Sequence, residues 1–213
     1  MITVFQTNIL KINKKETFRG KEMLNTLIDL TDPFTKKVKL KNKKLIKKLN
    51  KKLPFDFGVP HHSEKLPFEQ FHFLYDEAAD MCNHFAERSG YATNKHTLVF
   101  KELWVQEFGT MGGHHVPHIH PDSHISGFYF LKCSDNTSVP TFYDPRIAYS
   151  MLPLQQRDEG VLSAATQTIH FKPKPGDFII FPSYLSHGFS LDVGVDQFRF
   201  IHFNVKYEIK NEE

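Results

Sequence analysis

Five histidines lie within eleven residues of one another, in the segment GGHHVPHIHPDSHISGFYFL. They are His114, His115, His118, His120 and His124. Alternate residues of a β-strand face the same side, so the side chains of His118 and His120 can be directed at one ion. Imidazole is the commonest metal ligand among side chains. A lone histidine is more often a structural residue, so it is the density of histidines that predicts a metal site on this segment.

A second group of candidate residues lies well downstream. The run KPGDFIIFPSYLSHGF combines a Pro-Gly-Asp turn with an apolar strand and contains His187. Twelve residues later, Arg199 is flanked by two phenylalanines. A guanidinium in an apolar strand needs an anionic partner, because a buried unpaired charge is costly, and its planar fork suits a carboxylate. That partner is either a protein acid, such as Asp177 or Asp196, or the carboxylate of a small ligand.

Together these positions describe a non-haem Fe(II) centre. In such centres two histidines and a third ligand occupy one face of the metal, and open positions remain for a chelating cosubstrate and dioxygen. The sequence therefore predicts Fe(II) between His118 and His187, with Arg199 at the far carboxylate of 2-oxoglutarate (2OG).

At these residues the sequence resembles the 2OG/Fe(II)-dependent oxygenases, in particular a group common in bacteriophages and marine bacteria. The motifs HxHPxSxxSGxY and FPxxLxH are specific in combination. The resemblance implies a cupin-like jelly-roll core, Fe(II), 2OG and dioxygen as reactants, and hydroxylation of a C–H bond of a peptide side chain, prolyl or similar, or of a small molecule. In chain order it rests on WVQEF (104–108), HIHPDSHISGFYFL (118–131), FYDPR (142–146), GDFIIFPSYLSHGF (176–189) and RFIHFN (199–204).

The third metal ligand is where the sequence departs from this family, which usually supplies HxD or HxE from the first strand. In one interpretation His118 is the first ligand and His120 occupies the carboxylate position. In the other, His120 and Asp122 form a literal HxD pair. The spacing from His118 to Tyr129 resembles the aspartyl/asparaginyl hydroxylase branch and favours the first. The resemblance also implies that the Tyr129 hydroxyl binds the distal carboxylate of 2OG; core packing is the alternative for this side chain.

Hydrophobic periodicity predicts the elements that position these residues. Apolar residues at helical spacing predict helices over 19–30 and 68–88, and a strand is expected over 2–12. After Gly90, short β-rich runs alternate with turn residues, which is typical of a jelly roll and not of a parallel α/β sheet. We expect a mostly β fold with flanking helices, in which residues 1–96 support a double-stranded β-helix over 97–213 within one structural domain. The eight predicted strands are 97–108, 114–120, 125–133, 139–143, 160–171, 177–181, 186–191 and 197–209.

The charge is distributed unevenly along the chain. The net charge is +3, but residues 36–52 carry ten lysines and no acid, which leaves 17 basic against 24 acidic side chains elsewhere. This lysine-rich segment could contact phosphates. It contains no aromatic residue for base stacking, and a solvated helix face is favoured over nucleic-acid binding. Two cysteines cannot form a disulfide framework, and no apolar run is long enough to span a membrane. These features predict a cytoplasmic protein, in a host cell if a phage encodes it.

A second function fits the same histidines. A cupin-like metal-binding or sensor module without oxygenase activity could hold another metal, since imidazole suits several. Arg199 is the feature that separates the two hypotheses, because a pure binding module has no need of a carboxylate anchor. The substrate and the oligomeric state are not determined by the sequence.

Overall fold

The computed structural model describes residues 6–48, 61–108, 113–133, 138–146, 151–152, 154–191 and 197–210. Its helices are α1 (Phe18–Lys48) and α2 (Phe68–Arg88), and a 3-10 turn follows α2 at Thr93–Lys95. Its strands are β1 (Leu10–Asn13), β2 (His96–Phe108), β3 (His115–His118), β4 (Ile125–Lys132), β5 (Pro140–Tyr143), β6 (Thr168–His170), β7 (Asp177–Pro182), β8 (His187–Phe189) and β9 (Phe198–Ile209).

The strands form two antiparallel sheets. A five-stranded sheet has the order β1-β7-β4-β9-β2, and a four-stranded sheet has the order β3-β8-β5-β6. From β2 to β9, successive strands alternate between the two sheets, except β5 and β6, which are neighbours in the smaller sheet. The late strands β8 and β9 return to lie beside the early strands β3 and β2. Eight strands in this arrangement make a double-sheet jelly roll. The predicted fold class is confirmed, with the short β1 added to the edge of the larger sheet.

The helices agree with the sequence in one case and differ in the other. The predicted helix 68–88 has the same bounds as α2. The short helix predicted over 19–30 is instead the start of α1, which continues through Pro33 to Lys48. Proline removes one helical hydrogen bond. Nearby, the Thr31 hydroxyl donates to the carbonyl of Leu27 at 2.6 Å, and Arg199 donates to the carbonyl of Ile28 at 3.0 Å. These bonds attach the turn before the proline to its surroundings, whereas the carbonyl that lacks its helical N–H partner because of Pro33 is that of Asp29.

Alternation along β9 divides the interior into two cores. Phe198 and Phe200 face the space between the sheets, in a cluster with Phe128 and Phe181. The side chains at odd-numbered positions 201, 203 and 205 face the helices and pack with residues of α1 and α2. Since side chains alternate across a strand, residues 198, 200, 202 and 204 share the inner face of β9, and residue 199 belongs to the helix-facing side.

The lysine-rich segment is helical as far as it is described. Residues 36–48 lie in α1, whereas residues 49–52 fall outside the described part of the chain. Lys37 pairs with Glu64 at 3.1 Å, and Lys39 pairs with Glu107. Six further lysines, at 36, 41, 43, 44, 47 and 48, are exposed. Nucleic-acid binding by this segment stays untested. Among the described residues, no helix has the length and apolarity needed to cross a membrane.

Candidate metal centre

Three histidines meet at one end of the jelly roll. His118 ends β3 and lies opposite His187, the first residue of β8, in the register of the smaller sheet. His120 follows two residues after His118, and its backbone N–H donates to the carbonyl of Ser183 at 3.0 Å. One ligand nitrogen from each of the three rings lies within 4.8 Å of the other two. The structure thus brings together the three histidines that the sequence analysis chose as metal ligands.

Backbone carbonyls orient two of these rings. Nδ1 of His118 lies 2.8 Å from the carbonyl of Val116, and Nδ1 of His187 lies 2.9 Å from the carbonyl of Leu185. A carbonyl only accepts, so in each ring Nδ1 carries the proton and Nε2 keeps its lone pair. Burial lowers the pKa of His187 to about 3. The ring of His187 is therefore neutral, which is the form that binds metals, and in both rings Nε2 is the nitrogen left for a metal.

The third ring has a side-chain partner instead of a carbonyl. Nδ1 of His120 lies 3.0 Å from Nδ2 of Asn204, and its Nε2 lies 3.3 Å from Nε2 of His187. Burial, assisted by His118, lowers the pKa of His120 to about 4. His120 is therefore also neutral at physiological pH and faces the position between the other two rings.

Asp122, the alternative third ligand, lies elsewhere. Its carboxylate pairs with Lys206 at 2.8 Å and with Lys101 at 3.0 Å, and its side chain is 60% exposed. These two lysines lower its pKa to about 2. The residue adopts a left-handed backbone, with φ of 62°, and is absent from the cluster of ligand atoms. The literal HxD pair is therefore wrong: Asp122 turns the chain at the surface, where lysines bind it.

Arg199 does not reach the histidines. It is 1% exposed, and its guanidinium donates to the carboxylate of Glu107 and, at 2.6 Å, to that of Asp32 on α1. Both acids lie on the helix-facing side of the larger sheet. The prediction that Arg199 binds 2OG is contradicted, because strand alternation turns this side chain away from the space between the sheets. Its anionic partners are protein acids, Glu107 and Asp32, whereas Asp177 pairs with Lys11; Asp196, the other acid considered, lies outside the described residues.

Tyr129 shares this orientation. Its ring lies 4.3 Å from that of Phe178, centroid to centroid, in the core that packs against the helices. Its hydroxyl has no hydrogen-bond partner among the described residues, and burial raises its pKa above the ordinary value. Core packing, the alternative given for Tyr129, describes its surroundings, and the predicted contact with 2OG is not supported.

The cavity at the histidines contains residues that were not predicted from the sequence. His202 stacks between Trp104 and His120, with ring centroids 4.7 Å from each. Burial lowers the pKa of His202 well below its ordinary value. Neither of its ring nitrogens nor Nε1 of Trp104 has a hydrogen-bond partner in the described part of the chain. Counting by twos from Asn204 along the strand would have put His202, and not Arg199, on the inner face.

The cavity is narrow and mainly aromatic. Its volume is about 10 Å³, which is about the space needed for one water molecule. Among the described residues its lining includes no lysine or arginine. The lining consists of Trp104, Gln106, His115, His118, His120, Phe128, His187, Phe189, Phe200 and His202.

Comparison with known proteins gives these residues a family context. Residues 102–202 match the model of a family described as "Putative 2OG-Fe(II) oxygenase". The matched segment covers just under half of the chain and contains the three histidines. Members of this family use Fe(II), 2OG and dioxygen, and the match together with the jelly roll indicates an oxygenase of this class. No curated protein matches the chain.

Solved structures share the fold of this chain at low identity. The viral collagen prolyl hydroxylase of Paramecium Bursaria Chlorella virus-1, in complex with 2OG, is 13% identical; the match covers 95% of this chain and 96% of that one, with a TM-score of 0.53. AviO1 from Streptomyces viridochromogenes Tue57 is 10% identical over 93% and 89%, with a TM-score of 0.55. A prolyl hydroxylase from Trichoplax adhaerens, in complex with a hypoxia inducible factor peptide, is 13% identical over 92% and 82%, with a TM-score of 0.55.

The residues at the site fit Fe(II) better than they fit 2OG. Neutral imidazoles at these separations suit a divalent metal such as Fe(II). In contrast, 2OG is a dicarboxylate, and its predicted anchors, Arg199 and Tyr129, lie on the other side of the larger sheet. The described lining of the cavity contains no lysine or arginine to bind a carboxylate of 2OG, and the cavity is too small to hold 2OG. The metal therefore fits the site, and 2OG does not fit the cavity in this conformation.

Proposed function

We propose that the protein is an Fe(II)- and 2OG-dependent dioxygenase that hydroxylates a C–H bond of a peptide or protein side chain, prolyl or similar, and releases succinate and CO2. The observation that supports it best is the meeting of His118, His120 and His187 inside a segment that matches an oxygenase family. A peptide substrate is proposed because two proteins of similar fold are described as prolyl hydroxylases, one of them bound to a peptide.

Bound Fe(II), 2OG and dioxygen supply the oxidising chemistry, while the protein supplies orientation and exclusion of water. The carbonyls of Val116 and Leu185 fix the rings of His118 and His187 with Nε2 free. Behind them, the phenylalanines of the inner core close the space between the sheets. This aromatic wall limits water near the metal position, which strengthens the electrostatic interactions there.

A second candidate function gains support from Arg199. A metal-binding or sensor module of this fold requires the histidines but no carboxylate anchor. Arg199 is bound to Glu107 and Asp32, and the cavity lining includes no other cation among the described residues. Both observations favour such a module over an enzyme that binds 2OG inside the cavity.

Anaerobic calorimetry with Fe(II), followed by 2OG, separates the two functions. The hydroxylase predicts metal binding, then 2OG binding, then succinate formation in air with a Pro-Pro-Gly repeat peptide. His187→Ala is expected to abolish metal binding, whereas His72→Ala, which removes an exposed histidine of α2, leaves it intact. Metal binding without 2OG binding or succinate formation would overturn the hydroxylase in favour of the module, and no metal binding would overturn both.

A further inference from the structure

A chain of hydrogen bonds crosses three neighbouring strands and ends at His120. Asn204 on β9 lies opposite Glu102 on β2 and opposite Ser126 on β4 in the sheet register. Its Nδ2 donates to Oε2 of Glu102 at 2.6 Å, and its Oδ1 accepts from the hydroxyl of Ser126 at 2.6 Å. The remaining contact of Asn204 is the one from Nδ2 to Nδ1 of His120, at 3.0 Å.

The carboxylate of Glu102 decides the direction of this chain. An ionised carboxylate only accepts hydrogen bonds, whereas a serine hydroxyl donates or accepts. Glu102 therefore requires the Nδ2 end of Asn204, and the opposite orientation would set two oxygens against each other at 2.6 Å. The second N–H of Nδ2 then points at Nδ1 of His120, which must accept it. In a neutral imidazole whose Nδ1 accepts, the proton is on Nε2.

The tautomer of His120 is thus the opposite of that of the other two histidines. Carbonyls hold the protons of His118 and His187 on Nδ1 and leave Nε2 with a lone pair. The Nε2 of His120 faces Nε2 of His187 at 3.3 Å with a proton on it. A metal ligand must offer a lone pair, and the hydrogen bond at the other ring nitrogen sets which nitrogen can do so.

We propose that His118 and His187 alone bind the metal, and that His120 is a positioning residue whose Nε2–H donates to the small ligands of that metal. Glu102 and Asn204 hold the proton of His120 in this place. This inference rests on the proposed function only in requiring a metal at the histidines. Two protein ligands leave more coordination positions to small molecules than three do, and His120 then orients one of those molecules through a hydrogen bond.

The positions of the imidazole protons test this inference without any metal. Long-range proton–nitrogen correlation spectra of the metal-free protein are expected to show His118 and His187 protonated on Nδ1 and His120 protonated on Nε2. A proton on Nδ1 of His120 would overturn the inference and leave the proposed function standing.

Substitution of Co(II) for Fe(II) then allows the histidines that bind the metal to be counted by proton NMR. Each ligating histidine with a protonated Nδ1 gives one strongly shifted proton resonance that disappears in heavy water, and two are expected. His120→Ala is expected to keep both resonances and to lower Co(II) affinity by less than about 10-fold, the lower end of what loss of a supporting hydrogen bond costs. Three such resonances would overturn the inference. A protein that binds no Co(II) would overturn the proposed function together with it.

Reversal of the hydrogen-bond chain gives a second test. In the double variant Glu102→Gln/Asn204→Asp, the new carboxylate at position 204 only accepts, so His120 must carry its proton on Nδ1 and expose a lone pair at Nε2. A third shifted resonance and tighter Co(II) binding are expected. The control Asn94→Asp makes the same amide-to-carboxylate change as Asn204→Asp, but at an exposed position, and is expected to change neither. A double variant with two resonances and unchanged affinity would contradict the role given to Asn204.

Discussion

At the scale of single residues, Arg199 is a buried cation that connects the larger sheet to α1. It donates to Glu107 on the neighbouring strand and to the Asp32 carboxylate and the Ile28 carbonyl on the helix. Its hydrogen bond lowers the pKa of Asp32 below the ordinary value. Removal of one partner of a buried ion pair is strongly destabilising, because the other charge remains buried without compensation.

Arg199→Ala is accordingly expected to lower the free energy of unfolding by about 3–5 kcal/mol and to leave Fe(II) affinity unchanged. Urea denaturation and calorimetry measure the two quantities. Arg199→Lys keeps the charge without the planar fork and is expected to lower the free energy of unfolding by less than Arg199→Ala does. Arg88→Ala at the exposed end of α2 serves as the surface control. A variant of Arg199 that keeps full stability and fails to bind 2OG would restore the anchor role that the structure contradicts.

At the scale of elements, the metal position depends on how closely β3 approaches β8. Gly188 lies between two inward-facing residues of β8, and a Cβ added to it would lie 2.7 Å from the carbonyl oxygen of His115 and 3.1 Å from the backbone nitrogen of Pro117. These are backbone atoms, so an added methyl group would move one strand. His118 and His187 are directly opposite across this pair of strands.

Gly188→Ala is therefore expected to separate the two metal-binding rings and to lower stability by about 1–3 kcal/mol, which is typical of overpacking. We expect Co(II) affinity to fall by roughly 10–100-fold, as for other losses of ligand orientation. Gly160→Ala is the matched control, since the added Cβ would contact only the end of the Asp158 side chain, at 3.2 Å. Unchanged Co(II) binding in Gly188→Ala would mean that β3 adapts without moving His118.

At the scale of the whole molecule, the buried histidines link stability to pH. Burial lowers the pKa of His115 and His120 to about 4 and that of His187 to about 3, against about 6.5 in the unfolded chain. Above pH 6.5 these rings are neutral in both states. As the pH falls below that value, the unfolded chain binds protons that the folded protein does not. The free energy of unfolding therefore decreases until the pH reaches the pKa values of the folded protein.

The metal-free protein is therefore expected to lose stability steeply between about pH 6.5 and pH 4, as measured by urea midpoints across that range. His202→Phe removes a buried ring whose nitrogens lack partners among the described residues; it should raise stability and reduce the pH dependence. His72→Gln changes an exposed histidine and is expected to leave the dependence as it is. A wild-type protein with no pH dependence in this range would contradict the burial of neutral imidazoles.

The local patterns of the sequence were sufficient for much of the fold. The apolar spacing from Phe68 to Arg88 determined α2, and the short β-rich runs determined the strands of a jelly roll. Two histidines separated by one residue, with a third after a buried strand, determined the candidate metal ligands. The continuation of α1 through Pro33 could not be predicted in this way, because a proline inside a helical pattern usually ends the helix and α1 is held by distant contacts: Arg199, 171 residues after Ile28, bonds the carbonyl of that residue. The division of the chain at residue 96 and its cellular location stay predictions.

What only the tertiary structure decided is which face each side chain takes and what meets it there. Residue type and spacing suggested Arg199, Tyr129 and Asp122 as residues that bind the metal or 2OG. Neither property shows on which face of a strand a side chain lies. A shift of one residue along a strand reverses the direction of a side chain. Register thus placed Arg199 and Tyr129 against the helices, while His202 and Asn204 came to lie beside the metal-binding histidines. The sequence by itself determined a histidine site in a jelly roll; the sheet register decided which residues surround it.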